Sequence, residues 1–118
     1  MPEDAPVSTH ELSPEDAKLV TLARTSRARN ASAEGAAVRD RDGRTYVATA
    51  VDLPSLQLSA LQAAVAMAVS SGATGLEAGA VVGEDIEPDV TVVRELAGAD
   101  VVVYVADPAG RSRATVRT

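Results

Sequence analysis

Gly35-Ala36-Ala37-Val38-Arg39-Asp40-Arg41-Asp42-Gly43-Arg44-Thr45-Tyr46-Val47-Ala48-Thr49-Ala50-Val51 spans two apolar runs, 35–39 and 45–51, on either side of an Asp-Gly pair. Both turn residues tolerate positive φ, so the stretch reads as a β-hairpin. Upstream, Ser13-Pro14-Glu15-Asp16 has the grammar of a helix start: serine as N-cap, proline first, acids in the opening turn. Leu19, Leu22 and Ala23 give that helix an apolar face. Arg27 and Arg29 suit its C-terminal dipole, and it is expected to end near Ala28. Downstream, Asp52-Leu53-Pro54-Ser55 closes the second strand, and Ser55 is expected to cap a helix over Leu56–Ser71, ended by Gly72. That helix has little polar surface, which places it on a sheet and against another subunit. Strands follow over 78–82 and 101–105, with an acidic loop (Glu84, Asp85, Glu87, Asp89) and a helix over 89–97 between them. A turn at Asp107-Pro108-Ala109-Gly110 leads to a last strand over 114–116. The element order predicts an α/β fold, a three-layer α/β/α sandwich on a mixed β-sheet.

With 118 residues the chain forms one domain, expected over 14–118 after a flexible N-terminal segment over 1–13. Alanine and valine dominate its 46% hydrophobic content, and Tyr46 and Tyr104 are its aromatic residues, with no Phe or Trp. Small side chains let helices and sheet approach closely but bury less area per residue, which scales at roughly 25 cal/mol per Å². A net charge of -6 disfavours nucleic acid, whose phosphates demand a basic surface. No stretch supplies the ~20 apolar residues of a membrane span, and the acidic N-terminus is not a signal peptide. A cytoplasmic protein is the expectation.

Three strings, in order, carry a family resemblance: Glu34-Gly35-Ala36-Ala37-Val38, Asp42-Gly43-Arg44-Thr45-Tyr46 and Ala66-Met67-Ala68-Val69-Ser70-Ser71-Gly72. The chain resembles the homotetrameric type of cytidine deaminase over residues 14–110, which implies the cytidine-deaminase-like sandwich. Zinc deaminases hold their metal with cysteine thiolates, or with thiolates and a histidine, and move protons with a glutamate. The resemblance puts the family's Cys-Ala-Glu on Ser59, Ala60 and Leu61. Its Pro-Cys-x-x-Cys falls on Pro88-Asp89-Val90-Thr91-Val92. Its ribose-binding Asn-x-Glu falls on Ala50-Val51-Asp52, followed by a loop about two residues shorter, and its stacking Phe falls on Ser32. The vestigial pocket implied is therefore Ala50, Asp52, Ser59, Leu61, Pro88, Asp89 and Val92. The chain has no cysteine and one histidine, His10, so neither zinc nor another cofactor is expected.

The other candidates have plainer readings. His10 stands alone near the N-terminus. The acidic loop lacks the glycine pattern of a calcium loop. Ser59 has no histidine to activate it. Arg111, Arg113 and Arg117 form a basic C-terminal end that suits solvent or an acidic partner. Gly35 and Gly43 have no phosphate-loop spacing.

Three functions follow. The first is a catalytically inactive, pseudoenzyme member of the family that works as a homo-oligomeric (dimer or tetramer) scaffold or interaction module with an unidentified protein partner. The second binds a nucleoside or small metabolite in the vestigial pocket, through Asp52, Ser59 and Asp89. The third is a residual cytidine or deoxycytidine deaminase.

Overall fold

The computed structural model describes residues 12–118. Helix α1 (Pro14–Arg29) leads into strands β1 (Glu34–Asp40) and β2 (Thr45–Thr49). A small hairpin, β3 (Val51–Leu53) with β4 (Leu56–Leu58), precedes α2 (Ala60–Ser70). Strand β5 (Leu76–Gly83), helix α3 (Thr91–Ala97), β6 (Val102–Ala106) and β7 (Ser112–Arg117) complete the chain. The main sheet runs β2-β1-β5-β6-β7. Among its described strands β5 and β6 pair in parallel, joined through α3, and the other neighbours are antiparallel. This is the mixed sheet expected from the sequence.

Side-chain alternation divides the core into two layers. Ala36, Val38, Tyr46, Val81 and Val103 meet Leu61, Ala64, Val65 and Ala68 of α2 and Val93 of α3. On the opposite face Ala37, Ala80, Val82 and Tyr104 meet Leu19, Val20 and Ala23 of α1. Close approach depends on glycine at one point. A Cβ on Gly35 would overlap the Ala23 carbonyl oxygen and crowd Arg27, so α1 lies directly on the start of β1. Arg39 ties the same layers at their other end, pairing with Asp16 and Glu77, each at 2.8 Å.

The α1 start follows the predicted grammar: Ser13 Oγ accepts the Asp16 N–H at 3.2 Å and Pro14 is the first helical residue. Leu12 packs on the α1-face core. Residues 1–11, most of the segment expected to be flexible, and His10 with it, lie outside the described residues.

The β1–β2 and β6–β7 turns share one device. Asp40 Oδ1 accepts the N–H groups of Asp42 and Arg44, and Gly43 takes φ +86°. Asp107 Oδ1 accepts the N–H groups of Ala109 and Arg111, and Gly110 takes φ +86°. The shared pattern is Asp-x-x-Gly-Arg: the aspartate nucleates the turn and glycine supplies the left-handed residue. Both residues of the Asp42-Gly43 pair tolerate positive φ, and in that turn Gly43 alone takes it.

The second helix departs from its expected bounds. It starts at Ala60, not Leu56, because Ser59 and not Ser55 is its N-cap. Ser59 Oγ accepts the Gln62 N–H at 3.1 Å, and Gln62 Oε1 accepts the Ser59 N–H at 2.9 Å. This reciprocal box satisfies two end donors; Ser55 would face Leu58 three residues on, which accepts nothing. Leu56–Leu58 is released to pair with β3. The last strand is also longer than expected, Ser112–Arg117. Among the described residues no helix is long and apolar enough to cross a membrane.

Candidate functional site

Strands β2 and β5 both run antiparallel to β1. The start of β1, the end of β2, the N-terminus of α2, the end of β5 and the N-terminus of α3 therefore share one end of the sheet. An α2 entry there exposes N–H groups with a positive dipole end, which suits a bound anion or polarised ligand.

The chain fills that position with its own groups. Ser59 caps α2, and Glu34, the first residue of β1, accepts the Ala60 N–H on Oε1 at 2.7 Å. Leu61 is 1% exposed and points into the α2-face core. Ile86, from the acidic loop, folds back so tightly over Gly83 that a Cβ there would overlap it. Ile86 packs on the same core as Leu61.

The remaining candidates lie around this centre. Ala50 is exposed between β2 and β3, and Asp52 is exposed on β3 opposite Gln57. Pro88 and Asp89 precede α3. Asp89 Oδ1 accepts both the Thr91 N–H at 3.0 Å and its hydroxyl at 2.5 Å. These two bonds, the hydroxyl first, hold the Asp89 carboxyl below its ordinary pKa against a small opposing effect of burial. They also delay the helix, which starts at Thr91 rather than Asp89. Val92 packs partly against the core and joins Val65, Val69 and Leu96 in a shallow apolar groove.

A zinc ion does not fit this donor set. Ser59 already caps α2, Asp89 Oδ1 already accepts the Thr91 N–H and hydroxyl, and Leu61 and Val92 are alkyl. The chain has no cysteine, and among the described residues no three His, Asp or Glu converge as metal ligands. A cleft of about 570 Å³ opens beside the site, between the β5–α3 loop and the β6–β7 turn. Glu84, Asp85, Glu87, Asp107 and Arg113 line it over a floor that includes Ile86 and Val105. Its walls come from the acidic loop and the last hairpin, not from the entry of α2.

Glu34 was missed in the sequence. Its signal was a charged residue opening a largely buried strand.

A model of cytidine deaminase-like proteins matches residues 12–110. The chain belongs to the cytidine deaminase-like family. Solved cytidine deaminases share the family fold with it. The enzyme from Burkholderia pseudomallei superposes with a TM-score of 0.73 at 24% identity, covering 87% of this chain and 91% of that one. The Mycobacterium tuberculosis cytidine deaminase gives 0.63 at 27% identity, covering 82% and 87%. The Mycobacterium leprae cytidine deaminase gives 0.63 at 21%, covering 82% and 90%. No curated protein matches the sequence at a significant level.

Proposed function

We propose that this protein is a non-catalytic member of the cytidine deaminase-like family, acting as a self-associating binding or scaffold module. One observation carries the reading: the opening turn of α2 holds Ser59, Ala60 and Leu61, committed to a cap, a hydrogen bond to Glu34 and the core. A deaminase site needs a metal ligand and a proton-carrying carboxylate at such a turn. A hydroxyl already used as a cap and a buried isobutyl group provide neither. Fold alone carries no chemistry.

The surface of α2 supports the second half of the proposal. Met67 and Val69 are 46% and 53% exposed, and Leu53 and Leu56 of the β3–β4 hairpin are 55% and 49% exposed. Large apolar side chains left exposed on this helix and hairpin suit burial between copies. The test has two parts. Purified protein with stoichiometric zinc is expected to leave cytidine and deoxycytidine unchanged, and measurable deamination overturns the first half. Light scattering is expected to give a dimer or tetramer; a monomer throughout the micromolar range overturns the second.

The acid-lined cleft favours one other reading, a small-metabolite binder using this end of the sheet. A thermal-shift screen with nucleosides separates the two: a ligand at 100 times its Kd adds about 2.7 kcal/mol, and flat traces leave protein contacts as the function.

A further inference from the structure

The β3–β4 hairpin forms a two-stranded sheet of its own, apart from the main sheet. Its register sets Val51 opposite Leu58, Asp52 opposite Gln57 and Leu53 opposite Leu56. Opposed residues share a face and successive residues alternate. Val51, Leu53, Leu56 and Leu58 therefore lie on one face, with Asp52 and Gln57 on the other. Among the described residues none of those four joins either core layer. Val51 and Leu58 are half-buried at the base of the hairpin, and Leu53 and Leu56 are exposed at its tip. A two-stranded ribbon this short is marginal in water without a surface to cover it.

The chain carries a surface that suits this ridge. Val65 and Val69 of α2 and Val92 and Leu96 of α3, together with Glu95, line a shallow groove of about 330 Å³ that the hairpin leucines of the same chain do not fill. Charge selects the occupant. With a net charge of -6, two copies repel each other except where they meet without carboxylates. From Leu53 to Leu76, a stretch that holds the hairpin tip and all of α2, the sequence has no charged residue. A basic partner finds nothing to pair with along it, and a second copy meets no repulsion there.

We propose that the β3–β4 hairpin is a docking arm: in a two-fold pair of chains, Leu53 and Leu56 of each copy fill the α2–α3 groove of the other. The inference deepens the self-associating reading and rests on it. A ridge and a groove at separate places on one chain satisfy each other twice about a two-fold axis, which closes the pair and leaves no open end.

The experiment follows mass by light scattering, at a concentration where wild type is associated, for Leu56→Lys, Val69→Glu and an equal mixture of the two. Both positions are exposed, and circular dichroism reports that each variant keeps its fold. Each variant alone is expected to run as a monomer. The mixture is expected to regain the wild-type mass, because one contact of the mixed pair is unaltered and the other sets the new lysine against the new glutamate. Either variant associating as wild type does, or a mixture that stays monomeric, overturns the proposal. If a variant does not fold, crosslinking decides, since the chain has no cysteine of its own. Under mild oxidation an equal mixture of Leu56→Cys and Val69→Cys is expected to link unlike chains, and links between like chains alone overturn the proposal. A wild type that is monomeric throughout sinks the self-associating reading itself. An associated wild type with an unaffected Leu56→Lys sinks the docking arm and leaves that reading standing.

Discussion

The Tyr46 hydroxyl donates to Asp40 Oδ2 at 2.8 Å inside the core beneath α2. Asp40 is 2% exposed, and its other oxygen organises the β1–β2 turn. Burial pushes the carboxyl up, but the Tyr46 hydroxyl and the N–H groups of Arg44 and Asp42 outweigh it, so its pKa lies below the ordinary value. A depressed carboxylate adds stability above its unfolded pKa, about 3.9, and that stability is lost as pH falls through the lower folded value. Tyr46→Phe should therefore be less stable than wild type at neutral pH, with the gap closing in acid. Denaturant midpoints measured from neutral pH downward check this; a gap constant through the acid range would refute it.

Tyr104 behaves in the opposite sense. Burial first, and its hydroxyl's bond to Asp16 at 2.5 Å second, push its pKa up to about 12. A raised pKa means the stabilisation is present below the unfolded value, about 10, and is lost as pH rises through about 12. Phenolate absorbance should show delayed ionisation in the folded protein, coincident with alkaline unfolding. Ionisation of Tyr104 near its free value in folded protein would contradict the buried contact with Asp16.

Gly35→Ala tests the contact between α1 and β1. The new methyl would meet the Ala23 backbone oxygen, which cannot rotate away. The expected cost is about 1–3 kcal/mol, at the upper end because the obstacle is backbone. Chemical denaturation measures it, and a neutral substitution would mean that the helix sits further from the sheet than described.

Ser59 and Leu61 should respond unequally to substitution. Ser59→Ala removes a cap and costs about 1 kcal/mol. Leu61→Glu places a carboxylate at a site 1% exposed, where burying an unpaired polar group costs about 2–7 kcal/mol. A Leu61→Glu variant as stable as wild type would show that this position still opens to water.

Much of this architecture was legible because its signals are local. Ser13-Pro14-Glu15-Asp16 announces a helix by capping chemistry, and Val101–Val105 announces a strand buried on both faces, found one residue later at Val102–Ala106. The start of α2 was misread because Leu56 and Leu58 fit both periods. The deciding signal was Ser59-x-x-Gln62, a capping box that outranks a lone serine followed by leucines. The candidate site was only partly visible. The resemblance singled out Ser59, inside the helix expected from Leu56, but Glu34 reaches Ala60 across 26 positions of sequence, and no local pattern reports a contact that the sheet creates.

The two tyrosines sit on opposite faces of one sheet, Tyr46 under α2 and Tyr104 under α1, in a chain without tryptophan or phenylalanine. Near-ultraviolet dichroism of this protein thus has two chromophores and one per layer. Replacing either with phenylalanine turns the spectrum into a single-layer reporter. Unfolding followed in the two variants would reveal whether the layers melt together or whether one face of the sandwich loosens before the other.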